Sequence, residues 1–401
     1  MFSMNIRLFI ACGVLFGLPV GCSPKQGTFG YDLEFLRKHD TGLVVLRSGG
    51  SRVIVSPKYQ GKVFTSTLAG DAGPSFGWIH YKAFDTVDAH MNAYGGENRL
   101  WLGPEGGRFS LFFPPGAKME FANWKTPAAF DSEPWTVDKR TESMVEMHKR
   151  MVLTNYAGRK LDLVVGRSVK IFSGEEIAEA FGIEGHLSVK MVGYRTRNSL
   201  QNLGNHVFDD STGMPCLWVL DMMNPSTSTV IVIPYHSEPG DSSKPATTDY
   251  FGEIPSDRIK FGPSAIFFKT DGHSRGKLGV HPTRATTAIG SYDPERGVLT
   301  IAGFNVDPHE RYLNQEWNTV KAPFSGDAVN AYNDGPLADG SQMGPFYELE
   351  SVSPAWSLNP DEVKVHYHAV FHFTGPEAAL DTLSKRWLGV SIEQIKGAFP
   401  R

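Results

Sequence analysis

Val363-Lys364-Val365-His366-Tyr367-His368-Ala369-Val370-Phe371-His372-Phe373 is the stretch on which the fold turns. Lys364, His366, His368, Val370 and His372 alternate with Val365, Tyr367, Ala369, Phe371 and Phe373. A β-strand imposes that period of two, because successive side chains point to opposite faces. The polar set reads as a wet face and the apolar set as the core face. Shorter β-rich runs recur between turn signals at 43–47, 52–55, 160–165, 229–234, 265–268 and 298–304. Helical period is confined to 32–38 and 376–387. In the second of these Ala378, Leu380, Leu383 and Trp387 form an apolar stripe, preceded by Thr374-Gly375-Pro376-Glu377 with capping-box spacing. Gly and Pro, 42 and 26 residues, make up about a sixth of the chain, too many for long helices. The expected fold is all-β, a large antiparallel sandwich with short peripheral helices.

The N-terminus defines an export signal. Arg7 is followed by the uncharged apolar stretch 8–20, too short for a membrane span, which needs roughly 20 apolar residues. Leu18-Pro19-Val20-Gly21-Cys22 resembles a lipobox, which implies cleavage before Cys22 and lipidation of its thiol. The competing reading is an ordinary signal peptide cut nearby. The expected organisation is a signal peptide over 1–21, a tether over 22–30 and one domain over 31–401. Because Ser23 rather than Asp follows Cys22, the expected address is the outer membrane, facing the periplasm.

Composition narrows the partners. The full chain carries 39 basic and 43 acidic residues, and loss of residues 1–21 removes one Arg and no acid, so the body is slightly acidic and unsuited to nucleic acid. Cys216 is the one cysteine of three beyond Cys12 and Cys22, so no disulfide is expected in the mature body, and the thiol reads as buried. No cofactor is expected, since the Gly-Gly pairs lack the strand-to-helix context and Lys-Ser/Thr of a phosphate loop. His366, His368 and His372 lack a neighbouring thiol or acid and are not read as a metal site.

Three segments are rich in residues that packing does not require. In 92–109, two Gly-Gly pairs allow close backbone approach, while Asn98, Arg99, Trp101 and Glu105 offer an amide, a cation, a stacking surface and a carboxylate suited to a sugar. The competing reading is a glycine-rich turn with Trp101 buried. In 195–209, Asn205 and His206 stand at a strand end, where an imidazole can donate a proton or simply hold structure. In 327–354, Asn333 and Asp334 precede a run in which Glu348 and Glu350 share one strand face. If that face is partly dry, their repulsion raises one pKa and supplies a base near neutrality; if it is wet, they are a solvated edge.

In this order, a Gly-Gly-x-x-Arg segment, an Asn-His strand end and a late strand Glu resemble the galactose mutarotase-like (aldose 1-epimerase) superfamily. The segments 55–63, 98–113 and 347–350 look like an uncharacterised bacterial lipoprotein domain family within it. The resemblance covers nearly the whole mature chain and implies a β-supersandwich with a carbohydrate site on the concave face of one sheet. It places Glu350 or Glu348 as the base, His206 as the acid and Arg99 as a substrate-binding residue. It departs where mutarotases carry Leu-His-Gly-Gly, for here Pro104-Glu105-Gly106-Gly107 stands instead. Three functions follow as expectations: an acid-base enzyme acting on a sugar by epimerisation, hydrolysis or elimination, a glycan-binding lipoprotein without turnover, or a scaffold with Phe112 and Phe113 at an interface.

Overall fold

The computed structural model describes residues 24–184, 188–237 and 243–400; the signal peptide, Cys12, Cys22 and Ser23 lie outside the described residues. Three antiparallel sheets carry the chain. The largest has ten strands, with Val363–Thr374 near its middle between Val298–Phe304 and Lys190–Asn202. A five-stranded sheet runs in the order Gly276–Val280, Val329–Asn333, Tyr347–Val352, Cys216–Met223 and Arg99–Gly103. The third sheet has three strands, Val44–Ser48, Ser51–Ser56 and Lys62–Thr67. The all-β sandwich expected from the alternating runs is the architecture observed.

The faces of the decisive strand are the reverse of the expectation. His366, His368 and His372 are buried between the sheets, whereas Tyr367 is exposed and Phe371 half-buried. The imidazoles are tolerated inside because each meets polar partners. Ser351 Oγ lies 2.8 Å from both His366 Nε2 and His368 Nδ1, and His368 Nε2 lies 2.7 Å from Asp221. His372 bonds Thr300 at 2.9 Å and Glu97 at 3.1 Å. Burial and the neighbouring His368 push His366 down to about 3, so it stays neutral in the core. The apolar side of the strand is covered at one end, where the Phe181 ring packs 4.7 Å from Phe371 and 4.8 Å from Phe373.

Arg167 extends this polar layer. Fully buried, it donates to Gly61 O at 3.0 Å, Asn198 Oδ1 at 2.8 Å and Asn98 O at 3.2 Å. Around the layer pack Leu100, Leu102, Val219, Leu278, Ala331 and Leu349, the inward residues of the five-stranded sheet. Its other face is thereby left for the site.

The helices are peripheral and short. Phe29–His39 begins inside the expected tether and buries Phe29, Leu33 and Leu36, so the folded body starts ahead of residue 31. Glu377–Leu388 has Pro376 at its N-cap and no side-chain cap, contrary to the capping box read from 374–377; Glu377 instead pairs with Lys396 at 2.7 Å. Its buried stripe is Ala379, Leu380, Leu383 and Leu388, with Ala378 turned outward. Phe112 and Phe113 are only 2% exposed, so they belong to the core and not to an interface. No helix among the described residues is long and apolar enough to cross a membrane.

Candidate functional site

Strand alternation builds one wall of a cleft on the outer face of the five-stranded sheet. Register sets Arg99 opposite Leu220 and Trp101 opposite Trp218, then Glu348 between Met222 and Tyr332, and Tyr332 opposite Lys277. All of these side chains share a face. Loops supply the other walls: Glu105, Phe121, Trp124, Phe251, Arg275 and Trp317 line the same cavity. Gly106 makes this enclosure feasible, since a Cβ there would stand 2.1 Å from Glu316 O and 2.8 Å from Trp317 N. Only glycine lets the Trp317 loop close against Glu105.

The charges are arranged in pairs. Arg99 Nη2 donates to Glu348 Oε1 at 2.9 Å while its guanidinium lies over the Trp101 ring at 4.1 Å. Glu350 is fully buried beneath, accepting from Lys277 Nζ at 2.9 Å and Trp218 Nε1 at 2.8 Å, with its Oε1 left unpartnered. Burial raises Glu348 against the attraction of Arg99, and the Glu350 charge adds to the rise, leaving the carboxyl at about 7. Glu105 is partly open to the cleft, yet the enclosing walls raise its pKa too, with Lys277 opposing. At the mouth, Arg275 stacks 3.8 Å over Phe251 and donates to Tyr332 Oη at 3.3 Å.

Of the residues expected at the site, Arg99, Trp101, Glu105 and Glu348 converge on this cavity. Glu350 stands directly behind it, and Asp334 reaches its outer compartment, held by Tyr332 Oη at 3.0 Å. The others do not converge. Asn98 precedes Arg99 on the strand, so alternation turns it inward, where it donates to Asp221 at 2.6 Å. Asn333 is turned away from Tyr332 for the same reason and ties the neighbouring loop, accepting from Gly272 N at 3.0 Å and donating to Ser274 O at 2.8 Å. His206 and Asn205 follow Lys190–Asn202, a strand of the ten-stranded sheet, and neither lines the cleft. The His206 ring instead packs 5.9 Å from Phe208. An imidazole acid from that position is therefore absent from the cleft wall. Cys216 is free and buried, its thiol pushed up to about 12 by burial. No group of three or more His, Cys, Asp or Glu side chains among the described residues could hold a metal ion.

A model of a family of unknown function (DUF6786) matches residues 27–399. The chain belongs to that family. No curated protein matches it. Among solved structures it is similar to a candidate aldose 1-epimerase from Escherichia coli K12, with 12% identity, 82% of this chain and 98% of that chain covered, and a TM-score of 0.48. A galactose mutarotase-like protein from Lactobacillus casei ATCC 334 is similar at 9% identity, covering 82% and 100% of the two chains at a TM-score of 0.46. The Slr1438 protein from Synechocystis sp. PCC 6803 is similar at 13% identity over 83% and 96%, with a TM-score of 0.48.

In this DUF6786 member, Lys277, Trp218, Trp317, Trp124, Tyr332 and Arg275 are site residues that the sequence reading passed over. One signal for Lys277 was present: it is a lone cation in Gly-Lys-Leu-Gly-Val, a short strand otherwise free of polar side chains. Trp218 sits in the run Cys-Leu-Trp-Val-Leu, whose unbroken apolarity hides which face is which.

Proposed function

We propose that this protein is an exported, lipid-anchored carbohydrate-handling protein whose cleft performs acid-base chemistry on a sugar. The observation that carries the reading is Glu348, a cleft-wall carboxylate held by Arg99 and poised at about 7. A general base is most effective when its pKa lies near the working pH. Glu105, kept protonated more readily than a free carboxyl by its enclosure, supplies the acid that His206 does not. Glu348 takes the proton of the anomeric hydroxyl while Glu105 gives its proton to the ring oxygen. The ring C–O bond breaks, the open-chain aldehyde rotates, and reversal of both transfers closes the ring as the other anomer. Trp101 and Trp218 line the cavity beneath Arg99 and Lys277, whose cations lie over their rings at 4.1 and 4.6 Å.

Anomer exchange followed by NMR over a panel of aldoses tests this. Exchange above the buffer rate is expected for at least one sugar. Glu348 must be ionised to accept a proton, so the rate should fall about tenfold per pH unit below about 7. Rates equal to buffer for every aldose would remove the catalytic reading. Binding without turnover is the second reading, favoured because Glu348 and Glu350 are already ion-paired and no imidazole among the described residues lines the cavity. In that case Glu350→Gln retains sugar affinity.

Location rests on Cys22 as the lipidated first residue of the mature chain, at the periplasmic face of the outer membrane. Cys22→Ala should abolish incorporation of a labelled fatty acid into the protein. Undiminished labelling of that variant would contradict the anchor.

A further inference from the structure

The cleft has two compartments that share half of the inner one's lining, including Glu105, Lys277 and the apolar Phe121, Phe251 and Met343. The inner one, at Arg99 and Glu348, holds about 170 Å³; the outer one holds about 770 Å³. Sites for drug-sized ligands occupy about 300–1,000 Å³, so the inner space suits no more than a single sugar ring and the outer space has room for a substituent on it. On the sheet wall Glu348 and Glu350 are ion-paired with Arg99 and Lys277. Toward the mouth, Phe121, Phe251, Leu337 and Met343 set apolar side chains among Asp88, Arg275, Glu316 and Asp334.

That mouth also concentrates the exposed apolar surface. Of eleven large hydrophobic residues exposed among the described residues, Phe121 at 61%, Phe251 at 40%, Leu337 at 45% and Met343 at 36% line the cavities. Val87 at 90% and Val320 at 89% stand in the loops that bring Asp88 and Trp317 to the wall. Scattered exposed apolar residues need no explanation, but a cluster marks a binding surface. Because four of the six line a concavity, the surface fits a small apolar group better than a flat partner. A lone monosaccharide seated at Glu348 would not cover Leu337, which lines the outer compartment alone.

We propose that the ligand is a carbohydrate bearing an apolar substituent, an alkyl, acyl or aryl group, with the sugar at Glu348 and the substituent against Phe121, Phe251, Leu337 and Met343. This rests on the carbohydrate reading above. Each buried CH₂ is worth about a fourfold gain in affinity, so two or three buried methylenes give about 30-fold. Calorimetric titration of the purified protein compares hexyl with methyl β-D-glucoside, and 6-O-hexyl- with 6-O-methyl-D-glucose, alongside 1-hexanol. In at least one linkage the hexyl sugar should bind about 30-fold tighter than its methyl counterpart. The ratio should drop about tenfold in the Phe121→Ser/Leu337→Ser variant. Equal affinity of methyl and hexyl sugars would overturn the proposal and leave the carbohydrate reading standing. Hexanol binding as tightly as the hexyl sugars would overturn the carbohydrate reading and with it the proposal. Absence of binding by any hexyl probe would overturn both. Adsorption to phosphatidylcholine vesicles, lost in the same variant and without a hexyl preference, would assign the rim to a membrane surface and overturn the proposal.

Discussion

Glu348→Gln is expected to lower anomer exchange by about 10²–10⁴-fold, the usual contribution of a positioned base, while the protein stays folded and still binds the sugar. The amide keeps the shape of the carboxylate and its oxygen can still accept from Arg99, which lies 2.9 Å away. Stability should change little, for a reason the pKa supplies. A carboxyl raised in the folded state favours the protonated form there, so its stabilising effect is complete below the ordinary value of 4.5 and is lost as the pH rises through about 7. Above that pH a neutral amide avoids the cost of burying the charge, which offsets the weaker contact with Arg99. The informative pair of measurements is exchange by NMR and a thermal melt at pH 8. Exchange within threefold of the parent protein would remove Glu348 from the chemistry.

Asp221→Ala should cost about 2–6 kcal/mol, because it leaves two buried partners, the Asn98 amide and the His368 imidazole, without their acceptor at about 1–3 kcal/mol each. Asp221 is buried between the sheets, where it accepts from Asn98 Nδ2 at 2.6 Å and pairs with His368 Nε2 at 2.7 Å. Both partners belong to a longer chain of contacts: Asn98 holds Arg167, and His368 shares Ser351 with His366. Alanine strands the Asn98 amide and the imidazole without water to replace the carboxylate, and unmade buried hydrogen bonds are expensive. Asp221→Asn retains an acceptor and should cost less. Urea denaturation of the three proteins distinguishes them by midpoint at constant slope. A loss under about 1 kcal/mol for Asp221→Ala would show that the layer tolerates hydration.

The sheet architecture was legible because alternation is local: 363–373 has to be a strand whichever way it faces. Its orientation was not legible. Three imidazoles beside Val370 look solvated until Ser351, Asp221, Glu97 and Thr300 are brought opposite them, and those partners lie far away in sequence. At the site, Glu348 and Glu350 sharing a face followed from spacing alone. What spacing could not supply was depth along the strand: Glu348 opens on the cleft, whereas Glu350 lies beneath Lys277 and Trp218. The same parity rule, applied to neighbours, already excludes Asn98 beside Arg99 and Asn333 beside Tyr332. His206 failed for a different reason, because the strand it follows pairs into the other sheet. Trp124 and Trp317 reach the cleft on loops, and loop closure leaves no periodic trace.

A crystal structure with a bound sugar tests the central claim most directly. A ring is expected in the inner compartment, with one hydroxyl within about 2.6–3.2 Å of the Glu348 carboxylate and Glu105 within similar reach of the ring oxygen. A sugar bound elsewhere on the surface, or held in the cleft with neither carboxylate in reach, would contradict it.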